Sequence, residues 1–237
     1  MKLYKTKKNC GKLLLGILVF CTGMTLLTGC SSSSEQKQNK HEETAEENKE
    51  EDKVQIGLTV DSFVIERWIR DRDVFVATAR ELGAEVNVQD AGADVKEQIS
   101  QIEYFISKQV DVIVVIARDC GALSEAIQKA QSAGIPVISY DRMINNANTD
   151  LYISFDNRKV GEIMAQALVN ALPQGGDVFM IQGSSSDNNV RMVKQGFDDM
   201  LADTDLHVVY EANCDGWTAE LAAGYVEEAL EKYPHVK

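Results

Sequence analysis

The chain has 237 residues, 44% of them hydrophobic, with a formal charge of −13. That is enough apolar material for a sizeable core. The acidic balance excludes nucleic-acid binding by phosphate neutralisation, which requires clustered lysine and arginine.

The first element in chain order is a leader. Lys2, Lys5, Lys7, Lys8 and Lys12 form a basic start, the uncharged run LLLGILVFCTGMTLL follows, and LTGC ends at Cys30. A basic region, an apolar run shorter than the ~20 residues of a spanning helix and small residues before a cut describe a secretory signal. LTGC resembles a lipobox. The resemblance implies a lipoprotein signal peptide over residues 1–29, cleavage before Cys30 and diacylation of its thiol; a plain membrane anchor is the alternative.

Residues 30–53 carry many carboxylates and almost no apolar side chain. Such a segment cannot bury enough surface to offset the entropy of ordering it, so it is expected to be a disordered acidic tether. A solvated helix is the other reading, since Glu and Lys favour helix. Loss of the five leader lysines takes the charge from −13 to −18. A diacyl anchor, rather than a basic patch, is therefore expected to hold the chain at the outer face of the cytoplasmic membrane.

From residue 54 short β-prone runs alternate with helical ones. VQIGLTV predicts a strand. ERWIRDRDVFVATARELG predicts a helix with Trp68, Phe75, Ala79 and Leu82 near one face and Gly83 as its stop. AEVNVQD is the next strand. DVKEQISQIEYFISKQ is a helix with an Asp cap and Ile99, Ile102, Phe105 and Ile106 at helical spacing. DVIVVIA is continuously apolar, as a parallel strand covered on both faces should be. GALSEAIQKAQSAG is a helix and IPVISYD the fourth strand.

DLYISFDN then interrupts the rhythm as a short strand leading into RKVGEIMAQALVNAL. The cycle resumes with strand GDVFMIQ, helix NVRMVKQGFDDMLAD, strand LHVVYEA and helix TAELAAGYVEEALEKY. Repeated βα order predicts parallel sheets with right-handed crossovers. The expectation is an α/β fold of two lobes, each a parallel sheet flanked by helices, over residues 54–155 and 156–237, hinged near Phe155–Asp156. The second round stops after a helix, so its lobe is expected to be incomplete, a piece of a longer protein with an open sheet edge.

Ligands of open parallel sheets sit beyond the carboxyl ends of the strands, and the polar residues collect there: DSFVIERW, RDCG, DRMINN, GSSSDNN and NCDGW. Asp141 and Arg142 follow the fourth strand directly. A carboxylate accepts and a guanidinium donates in a planar fork, so together they can orient a pair of adjacent hydroxyls. A local ion pair or a turn-forming Asp is the plainer reading. Trp68 and Trp217 are the only tryptophans. They either face each other across a ligand ring, or serve as a core residue and a helix staple. Asn188 and Asn189 either cap a helix or offer amides to a ligand.

Signals for catalysis are poor. His41, His207 and His235 sit with no serine or cysteine in a triad arrangement, no paired spacing suggests zinc, and no GxGxxG follows a strand. No cofactor and no enzyme activity are expected. Cys120 and Cys214, far apart in sequence, read as two separate small residues; a disulfide is the alternative in an export compartment.

The runs IGLTVDSFVIERWIRDRDVF, YDRMIN, YISFDNRKVGE, SSSDNN and CDGW together resemble the xylose-binding branch of the periplasmic binding proteins of ABC transporters, a group that also holds ribose and galactose binders. The resemblance runs from about residue 54 to the last residue and implies two lobes that close on a sugar. On matching positions it implies contacts from Arg67, Trp68, Asp141, Arg142, Asn188 or Asn189, and Trp217, with D-xylose as the ligand. The implied partner is a membrane permease powered by a separate ATPase. A co-receptor that reports sugar to a membrane histidine kinase or chemoreceptor is the alternative. A lac-repressor-type regulator shares the lobes, but the secretion signal and the acidic balance argue against it.

Overall fold

A computed structural model describes residues 53–236. The expected signal, Cys30 and all of the tether except Lys53 lie outside the described residues.

The first sheet contains β1 (Gln55–Val60), β2 (Glu85–Asp90), β3 (Val112–Ile116), β4 (Val137–Tyr140) and β5 (Leu151–Ile153). Its order is β2-β1-β3-β4-β5 and every pairing is parallel. Helices α1 (Glu66–Glu81), α2 (Val95–Ser107) and α3 (Ser124–Ser132) connect the first four strands. Successive strand residues point to opposite faces. Ile113, Val115 and Val137 meet Ile102, Phe105 and Ile127 of α2 and α3. Leu58, Val60, Val114 and Ile116 pack with Trp68 of α1. Both faces are covered, which is why the third strand shows no polar alternation in the sequence.

Asp94 caps α2 as expected, its carboxylate accepting from Lys96 N at 2.7 Å. Two polar residues lie inside the apolar stripe of that helix, where the reading of Ile99, Ile102, Phe105 and Ile106 did not anticipate them. Gln98 and Gln101 are buried and satisfied. Gln101 Oε1 accepts from Thr59 Oγ1 at 2.7 Å, and Gln98 donates to the Ile116 carbonyl at 3.0 Å and accepts from Arg118 N at 2.8 Å. They tie the helix to the strand ends, where unpaired backbone groups would otherwise be buried. Leu82, expected on the inner face of α1, is instead 80% exposed. It sits at the C-cap, after the helical periodicity has ended.

The second sheet pairs β6 (Gly176–Gln182) with β7 (Leu206–Asn213) in parallel. Helices α4 (Asn157–Ala171), α5 (Asn188–Leu201) and α6 (Ala219–Lys232) accompany it. Ala165, Phe197 and Leu201 pack on Val178, Met180 and Leu206. α4 and α5 touch backbone to backbone. A Cβ on Gly161 would lie 1.9 Å from the Val193 carbonyl oxygen, and one on Gly196 would lie 2.0 Å from that of Arg158, so only glycine permits the crossing. The chain passes from β5 to α4 through residues 154–156, where Asp156 caps α4 by accepting from Lys159 N at 2.9 Å. Among the described residues Cys120 and Cys214 are free thiols and do not pair with each other.

Candidate functional site

The strand-end loops of the two sheets meet. Cys120 N, after β3, donates to Ser186 O, after β6, at 3.0 Å, and side chains after β4 meet Asp187, Asn188 and Asn189 at the start of α5. The turn after β4 sets their geometry. Asp141 has φ of 64°, a left-handed conformation that Asp tolerates better than most residues. It separates the directions of Asp141 and Arg142, which the sequence reading took as one fork.

Arg142 turns inward and is almost fully buried. Its Nη1 donates to Asp61 Oδ2 at 2.7 Å and to the Ala117 carbonyl at 2.9 Å. Its Nε lies 2.9 Å from Asp187 Oδ2 of the second lobe, an ion pair without hydrogen-bond alignment. One guanidinium therefore joins a carboxylate at the end of β1 to one at the start of α5. A buried charge of this kind requires its partners, since removing one leaves the other uncompensated.

Asp141 takes different partners. Its Oδ2 pairs with Arg67 Nη2, and its Oδ1 accepts from Asn189 Nδ2 at 3.0 Å. Asn189 Oδ1 in turn accepts from Asn157 Nδ2 at 3.2 Å. Arg67 also approaches Asp71, whose carboxylate accepts from Tyr140 Oη at 3.1 Å. Asn188 is directed elsewhere: it accepts from Arg191 and its amide faces the Met143 sulfur at 3.6 Å.

Neither asparagine caps α5. The cap is Asp187, which accepts from Asn189 N at 2.9 Å, as an acidic group at a helix start should. Its other oxygen accepts from Trp217 Nε1 at 3.2 Å. Burial pushes the Asp187 carboxyl above the ordinary range, against the pull of Arg142, Asn189 N and Trp217 Nε1.

The two tryptophans differ. Trp68 is buried, and its ring carries the Arg67 guanidinium at 4.5 Å and that of Arg142 at 5.5 Å. It is thus both a core residue and a cation–π platform, and its Nε1 has no partner among the described residues. Trp217 is 43% exposed. Its ring lies flat on Gly183, where a Cβ would come within 2.3 Å of the indole.

A cavity of about 850 Å³ joins these groups. Arg67, Trp68, Asp141 and Arg142 line it from the first lobe, Asn189 and Trp217 from the second. Asn188 does not line it. The cavity continues along apolar residues of α4, α5 and β6, among them Met164, Leu168 and Phe179. Sequence reasoning did not single out Asp61 or Asp187. Each stood in a quoted strand-end run, and an acid directly before a helix start was the signal for Asp187. The set offers paired donors and acceptors beside an indole face, the requirements for holding a small polyhydroxylated ring. Among the described residues no group of three His, Cys, Asp or Glu side chains is placed to hold a metal ion.

Comparison with known proteins gives the same direction. The chain is 44% identical over 181 residues to the D-xylose-binding periplasmic protein of Haemophilus influenzae, covering 75% of this chain and 54% of that protein. The D-xylose-binding periplasmic protein of Escherichia coli matches with the same identity and the same coverage. The chain thus spans about half the length of these relatives. The crystal structure of an ABC transporter solute-binding protein from Clostridium phytofermentans with bound β-D-glucose superimposes with a TM-score of 0.71 at 28% identity, covering 76% of this chain and 60% of that one. The family model described as periplasmic binding protein domain matches residues 56–237. On that match, and on a parallel-sheet fold shared with a sugar-bound member, this chain belongs to the periplasmic binding protein domain family.

Proposed function

We propose that the chain captures a monosaccharide, D-xylose in the first instance, between its two lobes and releases it unaltered to the permease of an ABC importer. Cys30 would carry the lipid that keeps it on the outer face of the cytoplasmic membrane. The observation that carries this reading is the convergence of Arg67, Asp141 and Arg142 from one lobe with Asp187, Asn189 and Trp217 from the other around one cavity. The 44% identity to proteins named as D-xylose binders supports the choice of sugar.

The chemistry follows from exchange of partners. Asp141 pairs with Arg67 within the first lobe, and Arg142 pairs with Asp187 across the lobes. A sugar hydroxyl both donates and accepts, so it can enter between an acid and its partner with each group still bonded. Sugar that bridges both lobes favours the closed arrangement by its differential affinity. A site built to bond hydroxyls rejects an analogue lacking one more strongly than a change in apolar bulk, because a buried polar group is left unpaired.

A thermal-shift titration tests the reading. D-xylose raises the melting temperature of the purified chain through preferential binding to the folded state, while Arg142→Ala and Trp217→Ala lose the rise. The absence of any shift with D-xylose or other monosaccharides, or an undiminished shift in both variants, overturns it.

A further inference from the structure

Arg118 lies outside the cavity lining and joins the two lobes. Its backbone N–H is fixed by Gln98 Oε1 at 2.8 Å, and Gln98 is fully buried on α2. Its guanidinium is 15% exposed. Nε lies 3.8 Å from Asp61 Oδ1, a buried oxygen with no hydrogen-bond partner among the described residues. Nη2 lies 3.4 Å from Asp215 Oδ1 of the second lobe. Its carbonyl accepts from Ser186 Oγ at 3.4 Å.

The far end of this bridge is the turn that carries Trp217. Asp215–Trp217 is a single 3-10 turn, in which Gly216 and Trp217 have φ of 61° and 60°. Glycine takes this conformation freely, but a left-handed tryptophan costs backbone energy and persists only where surrounding contacts determine it. Asp215 Oδ1 supplies those contacts. It accepts from Gly216 N at 2.8 Å, from Ser184 Oγ at 3.2 Å and from Arg118 Nη2 at 3.4 Å. The first two partners are internal to the second lobe and the third is not. The guanidinium also covers Gly216, where a Cβ would stand 3.3 Å from Nη1.

We propose that Arg118 is a positioning residue for Trp217: it reaches across the cleft, completes the coordination of Asp215, and so holds the indole face in its binding orientation only while the lobes are closed. This rests on the sugar-binding reading for its consequence but not for its geometry. When the lobes part, Asp215 loses its cationic partner and the turn loses one of the contacts that oppose its strain. Ring placement and lobe closure are then one coupled event. A ligand that stacks on Trp217 gains from closure twice, by enclosure and by a ring already in place.

The two tryptophans allow a direct test. The chain labelled with 5-fluorotryptophan gives one fluorine resonance for Trp68 and one for Trp217, assigned with Trp→Phe variants. Without sugar, Arg118→Ala and Asp215→Asn shift and broaden the Trp217 resonance and increase its solvent isotope shift, while the Trp68 resonance stays in place. The double variant resembles either single one, and Arg118→Lys restores part of the effect. In titrations the Kd for D-xylose rises about twofold in Arg118→Ala, the size of an ion pair whose carboxylate is largely exposed. An unmoved Trp217 resonance in Arg118→Ala overturns the proposal, as does a Trp68 resonance that moves equally, which would mark general loosening. A parent chain that binds no monosaccharide, with the Trp217 resonance still responding to Arg118→Ala, would remove the sugar reading and leave the bridge intact.

Discussion

The two lobes repeat the same βα rhythm and reach stability by different means. The first covers both faces of a five-stranded sheet, with separate apolar clusters above and below it. Of the second only a part is described, a two-stranded sheet with its helices, and there Ile163 and Met164 of α4 are 60% and 52% exposed. Its tightest packing is helix against helix, at Gly161 and Gly196. A sheet enclosed on two sides depends on side-chain volume. The described part of the second lobe depends more on the few backbone contacts that fix its helices.

Truncating one core residue in each lobe gives the largest contrast. Ile127 on α3 is fully buried between sheet and helix, and Ile127→Ala is expected to cost about 3.5 kcal/mol because the cavity cannot collapse. Leu201 on α5 lies in the smaller cluster. Leu201→Ala is expected to cost about 2 kcal/mol, since neighbours beside open surface relax into the gap. Native-state hydrogen exchange in β3 and β6 reads each loss separately. Equal losses would break the comparison.

A gain of one methyl group tests the helix crossing of the second lobe. Gly161→Ala places a Cβ against the backbone of α5, which cannot move aside as a flexible side chain would. The expected cost is about 2 kcal/mol, confined to the second lobe. Gly196→Ala acts on the same crossing, so the double variant costs less than the two single losses combined. Additive losses, or loss of protection in the first lobe, would place the stability of the second lobe elsewhere.

The same contrast explains what could be read from the chain alone. The first lobe was legible strand by strand, because enclosure on both faces leaves an apolar run such as DVIVVIA and a capped helix leaves Asp94. Gln98 and Gln101 were not, since helical spacing shows only which residues face inward and not which strand-end carbonyls await them. At the site, loop position at strand ends grouped Arg67, Trp68, Asp141, Arg142, Asn188, Asn189 and Trp217, and the structure brings all but Asn188 to one cavity. Pairing was hidden. Asp141 and Arg142 are adjacent in sequence yet bond to different partners, because a left-handed turn divides them. Asp61, Asp187 and Arg118 act through contacts 81, 45 and 97 residues away, a separation that no local pattern encodes.

The smallest effect concerns the carboxylate that joins the lobes. Burial raises Asp187 above its ordinary value while Arg142, Asn189 N and Trp217 Nε1 oppose the shift, and the neighbouring Asp141 adds to it. In the window between the unfolded value, about 3.9, and the raised folded value, the folded chain holds a proton that the unfolded chain has released. The stability from this group is therefore fully present below about pH 4 and is lost as pH rises through the folded value. Other carboxylates titrate in the same region, so the measurement is the difference between the parent and Asp187→Asn in urea-unfolding midpoints across that window. Asparagine keeps an oxygen for the Asn189 N–H and removes the titration. The parent should lose stability relative to the variant as pH rises. A difference that stays constant with pH would mean that Arg142 compensates the burial of Asp187 in full, and that the bond between the lobes carries no electrostatic penalty.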